Sequence, residues 1–146
     1  MGPGSEDPRV IRSVAVTAGD VVTAYEATVR GGRETVLRIT PPFVPRERAR
    51  LHVPGPDEPS GDPAPIHLAP GGLLDTDALG PFPTPDDTAA AMEEAGERYS
   101  PDRHHERHLE AVERWRARAR GAIVEEVTLE LPDGRHPVEV KALGVC

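Results

Sequence analysis

Between Ser100 and Ile123 the chain reads SPDRHHERHLEAVERWRARARGAI, a stretch that carries the start, the stop and the periodicity of one long amphipathic helix. Ser100 stands where an N-cap side chain accepts a backbone N–H. Pro101 follows at the first helical position, where a missing N–H costs nothing. Asp102 adds a negative charge to the first turn, at the favourable end of the helix dipole. His105, Leu109, Val112, Ala119 and Ile123 recur at helical spacing, and Trp115 widens that face. Arginines crowd the last turns, and Gly121 is the expected stop. A helix with one apolar stripe must bury it against the rest of the chain.

Val10 to Val16 (VIRSVAV) is short and β-branched, a strand. Thr17 with Asp20 makes a Thr/Asp version of the capping box. Ala18, Val21, Val22, Tyr25 and Val29 then keep helical spacing until Gly31-Gly32 ends the helix. Thr35 to Thr40 (TVLRIT) is a second strand, stopped by Pro41-Pro42. This strand–helix–strand unit has the length of a crossover joining two parallel strands. Phe43 to Arg48 is expected as a proline-broken loop with Phe43 plugging the core, and Ala49 to Val53 as a third short strand.

Nine of the 17 prolines fall between Pro54 and Pro85. Residues 54–83 are therefore expected as a Pro/Gly-rich excursion. Either a short edge strand or extended piece over Ala64 to Ala69 interrupts it, or it is flexible throughout. Thr84-Pro85 opens a short helix to about Ala95. Val124 to Leu131 and His136 to Leu143 both alternate, with a hairpin signal at Pro132-Asp133-Gly134-Arg135 between them. Val127, Leu129 and Leu131 share one face of the first arm, and Val138, Val140 and Ala142 form the buried face of the second. The expected architecture is one α+β domain over residues 8–146 behind a disordered tail at residues 1–7. It has a mixed or antiparallel sheet, about three helices, and the order βαββ, excursion, ααββ.

A length of 146 residues suits one domain with a modest core. Aromatic residues make up 3%, so Val, Leu, Ile and Ala must fill that core, which argues against a deep aromatic cofactor pocket. No apolar run approaches the ~20 residues that span a bilayer. The first residues lack the basic-then-apolar pattern of a signal peptide, so a soluble cytoplasmic protein without membrane contact is expected. Cys146, the single cysteine, allows no internal disulfide and no cysteine metal motif, and either pairs two chains or is a chance ending. Phosphate-cradling glycine loops and Gly-x-Ser-x-Gly elbows are absent from the sequence.

Two features could carry chemistry. His104 and His108 lie one helical turn apart, the spacing that lets two imidazoles share a divalent metal, with His105 beside them. The His-Glu-x-x-His signature of a zinc protease is not met, because His105 follows His104 and Leu109 stands where a second ligand to His105-Glu106 would be. A third ligand would have to come from His52, His67, His136, Asp102 or Asp133. The competing reading is a polar helix start with one histidine inward and two in solvent. Arg103, Arg107, Arg114 and Arg118 form a stripe on the same helix, and Arg46, Arg48 and Arg50 alternate near the third strand. Guanidinium forks suit phosphates. Against nucleic acid stand a net charge of −8 and the scarcity of aromatics for stacking.

The leading expectation is a non-catalytic binding or accessory/regulatory module with an unidentified protein partner and no cofactor. The alternatives are a metal-dependent hydrolase-like site at His104/His108, and a phosphate or nucleic-acid surface on the arginines. A pocket joining the two histidines to a third ligand would favour the first alternative, and one convex positive face the second. A large exposed apolar patch would favour the protein partner.

Lys141 is the single lysine among 17 basic residues, against 25 Asp and Glu. Such a surface suits a salt-accumulating, GC-rich haloarchaeon, where salt screens the self-repulsion of the carboxylates. A GC-rich mesophile remains the alternative. The stretches DPRVIRS (Asp7–Ser13), ETVLRITPPF (Glu34–Phe43), RARLHVP (Arg48–Pro54), DPAPIHL (Asp62–Leu68), YSPDRHHERH (Tyr99–His108) and VEVKALG (Val138–Gly144) resemble a haloarchaeal protein family of unknown function. That resemblance implies habitat and single-domain status, and no activity.

Overall fold

The alternating arms at the carboxy-terminal end form the expected hairpin, β6 (Glu126–Leu131) antiparallel to β7 (Gly134–Leu143). The computed structural model describes residues 4–56 and 64–144. Along its other edge β7 pairs in parallel with β1 (Ser13–Thr17), and β1 pairs in parallel with β3 (Arg46–Arg48). The result is a mixed four-stranded sheet of order β3-β1-β7-β6. Strand alternation sorts its side chains. Val14, Val16, Leu129, Val138 and Val140 are buried on the inner face, and Ser13, Arg46, Arg48, Glu139 and Lys141 take the outer one.

The expected parallel pairing of the first two strands does not form. β2 (Val36–Ile39) lies instead at the centre of a second, antiparallel sheet between β4 (Arg50–His52) and β5 (Ile66–Leu68). The parallel neighbour of β1 is β3, inside the stretch expected as a proline-broken loop. Ala49 explains the arrangement. It is 1% exposed and donates its N–H to Ala15 O at 3.0 Å, and there the chain leaves β3 and enters β4. One extended segment thus serves two sheets, cornering at a residue small enough to be enclosed.

Among the described residues four α-helices pack with these sheets. α1 (Ala18–Val29) starts as expected, with Thr17 Oγ1 accepting from Asp20 N at 3.3 Å. The stretch rich in prolines contributes to the core beyond β5. A 3-10 turn at Pro70–Leu73 and the short α2 (Thr76–Leu79) bury Leu73, Leu74 and Leu79. Residues 57–63 of that stretch, residues 1–3 of the expected tail and Cys146 lie outside the described residues. Within the tail, Ser5 and Phe43 exchange backbone hydrogen bonds of 2.7 and 2.6 Å, and Phe43 is buried as expected.

α3 (Pro85–Glu94) and α4 (Pro101–Arg120) complete the helical layer, and α4 has the expected ends: Ser100 Oγ accepts from Arg103 N, and Gly121 is the C-cap. Trp115 on α4 is fully enclosed. It stacks on Tyr25 at 5.8 Å, meets Phe82 edge-on at 5.0 Å, and donates Nε1–H to Gly80 O at 3.3 Å. This one side chain joins α4 to α1 and to the segment after α2. Apart from Trp115 and Phe43, the core cluster is Val, Leu, Ile and Ala. Among the described residues no helix is long and apolar enough to cross a membrane.

Candidate functional site

The one large apolar side chain in the first half of α4, Leu109, is exposed, and there α4 meets α3 through polar groups. On α3, Thr84 and Asp87 form a reciprocal capping box: Asp87 N donates to Thr84 Oγ1 at 3.1 Å and Thr84 N to Asp87 Oδ2 at 3.0 Å. The bonds from Thr84 hold the Asp87 carboxyl below its ordinary range. One turn further, Thr88 is 5% exposed and lies 2.8 Å from His108 Nδ1. His104 Nε2–H donates to Pro85 O at 2.8 Å. The rings of His104 and His108 lie 6.2 Å apart and 13° from parallel, with Tyr99 5.6 Å from His104.

The inward face of α4 therefore runs through His104, His108, Val112, Trp115 and Ala119. His105 and Leu109, expected on that face, are exposed, Leu109 to 51%. The periodicity misleads because the α3 seam is filled by imidazoles, which read as polar. Two histidines face inward and one faces solvent, the reverse of the expected division.

Beside this seam α3 and α4 line a cleft of about 250 Å³. Its floor is Pro83, Ala91, Met92 and Ala111, and Glu97, Arg107 and Arg114 stand around it. Arg107 Nε donates to both oxygens of Glu97 at 3.0 and 3.1 Å, and Nη1 to Glu110 at 3.0 Å. Those carboxylates, Glu97 first, raise the pKa of Arg107 further. Arg114 is exposed and forms no ion pair among the described residues. The walls are thus apolar, with one charged group tied down and another available.

The structure brings His104 and His108 together and leaves the other ligand candidates elsewhere. His52 and His67 lie 5.5 Å apart on the three-stranded sheet. His136 Nε2–H donates to Ile11 O at 2.7 Å, Asp133 pairs with Arg9 at 3.2 Å, and Asp102 is exposed on the first turn of α4. Among the described residues no group of three or more His, Cys, Asp or Glu side chains is placed to hold a metal ion.

The arginines are likewise divided. Arg103 and Arg118 are exposed on α4. Arg46 and Arg48 lie on the outer face of the four-stranded sheet, whose inner face shares one core with Trp115 and Ala119. The two groups stand on different elements, one on α4 and one on β3. Arg50 sits in the other sheet, in register with Arg38.

Thr88, Met92 and Glu97 were not singled out from the sequence. Thr84-x-x-Asp87 was a readable start signal that would have oriented Thr88, but nothing local marks Glu97, whose partner is ten residues away.

Over residues 1–144 the chain matches a family described as a domain of unknown function, DUF8009, and it belongs to that family. Neither the curated proteins nor the solved structures contain a match.

Proposed function

We propose that this DUF8009 protein is a non-catalytic binding or accessory module, and that the α3–α4 cleft receives a partner-protein segment bearing a small apolar side chain beside a carboxylate. The observation that carries this reading is Arg114, which stands uncommitted beside a floor of Pro83, Ala91, Met92 and Ala111. Around it, Arg107 and Asp87 are committed to hydrogen bonds inside the protein. An apolar anchor with one charge to fix its direction is the usual anatomy of a recognition pocket. The test is a photo-activated cross-linker placed at Ala111. The reading expects one dominant adduct whose peptide joins an apolar residue to Asp or Glu, and whose yield collapses with Arg114→Glu. An adduct pattern indifferent to Arg114→Glu would overturn it.

The same proposal places the protein in the cytoplasm of a salt-accumulating haloarchaeon. Its support is the net charge of −8 and the single lysine among 17 basic residues.

A second reading, a divalent metal at His104 and His108, is favoured by one detail. The hydrogen bonds engage His104 Nε2 and His108 Nδ1, so His104 Nδ1 and His108 Nε2 remain for other partners. Metal analysis of untagged protein beside the His104→Ala/His108→Ala variant decides it. Near-stoichiometric zinc, manganese or nickel that disappears in the variant supports the site, and no metal in either sample removes it.

A further inference from the structure

On the outer face of the four-stranded sheet, β3 carries Arg46 and Arg48, with Glu47 between them on the opposite face. Strand alternation therefore presents two guanidinium groups to one side and removes the intervening carboxylate to the other. Glu47 does not neutralise them. It turns back, its Oε2 accepting from Val44 N at 2.7 Å, and partial burial pushes its carboxyl up. Next to β3 lies β1, whose outer side chains in register with the arginines are Ser13 and Ala15. Beyond it, β7 raises Glu139 and Lys141. With neighbouring strands about 4.8 Å apart, the β3 and β7 banks stand roughly 9–10 Å apart over a low floor.

At the open end of this trough is a cavity of about 410 Å³ lined by Arg12, Ser13, Pro45, Arg46, Glu139 and Lys141. Arg12 is exposed and its backbone is pinned on both sides: its N–H donates to Pro45 O at 2.7 Å and its carbonyl accepts from Glu139 N at 3.0 Å. Lys141 and Glu139 satisfy each other at 3.4 Å. Arg12, Arg46 and Arg48 form no ion pair among the described residues, so the trough keeps an excess of three guanidinium groups on a protein of net charge −8.

We propose that this trough is a binding site for phosphate groups, with Arg46 and Arg48 on one bank, Arg12 at the entrance and the Ser13 hydroxyl on the floor. Guanidinium forks on a rigid strand match phosphate oxygens, and the strand fixes their spacing without loop ordering. No aromatic side chain lines the cavity, so recognition goes to the phosphates and not to stacked bases. The site is separate from the α3–α4 cleft, and it stands if the partner reading fails.

The test uses the full chain and two probes, tripolyphosphate and an oligo-dT strand, titrated at several salt concentrations over which Trp115 fluorescence reports a folded protein. Binding of tripolyphosphate identifies a small phosphate ligand, and binding of oligo-dT alone identifies a nucleic-acid backbone. In either case Arg46→Glu/Arg48→Glu must weaken affinity at least tenfold and flatten its salt dependence, while Arg103→Glu/Arg118→Glu on α4 leaves both unchanged. No binding of either probe, or binding that survives the β3 substitutions, overturns the site.

Discussion

Thr88 Oγ1 and His108 Nδ1 meet at 2.8 Å in a position where Thr88 is 5% exposed, so a buried hydroxyl on α3 meets the first half of α4. Its loss would leave an imidazole nitrogen facing a methyl group. Thr88→Val, close in shape, is expected to destabilise the fold by about 1–3 kcal/mol, the cost of an orphaned buried polar group. Urea denaturation gives the readout: the midpoint falls with an unchanged slope. A variant as stable as the wild type would mean that water replaces the hydroxyl.

Trp115 extends the same helix into the core, touching Tyr25 and Phe82 and donating to Gly80 O. Trp115→Ala removes the largest enclosed side chain and is expected to cost about 3–5 kcal/mol. Trp115→Phe keeps an aromatic ring but drops the bond to Gly80, and its cost should be clearly smaller. Thermal unfolding of the three proteins side by side checks the order.

What was legible in the sequence divides along a physical line. Capping is local chemistry, so Thr17, Thr84, Ser100 and Gly121 mark helix ends correctly. The hairpin is nearly as local, since Leu131 and Gly134 pair across two residues. Strand partnership is not local. Whether β2 joins β1 depends on where Ala49 lets the chain corner, and no pattern near Thr35 to Thr40 records that. β3 was hidden because Arg46-Glu47-Arg48 has no apolar side chain. The α4 face was misassigned through His105 and Leu109 because the true seam is polar. The candidate site suffered accordingly: His104 and His108 were marked by spacing, while Thr88 meets His108, and Glu97 meets Arg107, only through the packing of α3 and the turn after it against α4.

Acid should act on α3 through Asp87. Its pKa is depressed below the ordinary 3.8 by the bonds from Thr84, so its stabilising effect is complete above that value. The effect is lost as pH falls through the lower folded-state value, where the native carboxylate finally takes up its proton. Asp87→Asn should therefore be less stable than the wild type at neutral pH, and the gap should narrow steadily on acidification below 3.8. Urea midpoints of both proteins across pH 2–7 give the comparison. A gap that is constant with pH would show that the charge of Asp87 adds nothing to the cap.

Arg116 clamps α4 to α1 by donating from Nε to both oxygens of Glu26 at 3.1 Å and from Nη2 at 3.0 Å, with the Glu26 side chain only 12% exposed. That geometry differs from the Arg135–Glu130 pair, 3.5 Å apart with both side chains more than two-thirds exposed. Double-mutant cycles to Ala should give a coupling of about 1 kcal/mol for Arg116–Glu26, near the top of the range for ion pairs that keep some solvent. The Arg135–Glu130 coupling should be about 0.2 kcal/mol. Raising salt from dilute buffer to multimolar KCl should remove the smaller coupling and leave much of the larger, because solvent ions screen an exposed pair more fully than a half-enclosed one. Equal salt sensitivity in the two pairs would mean that Glu26 is wetter in solution than its position between α1 and α4 indicates.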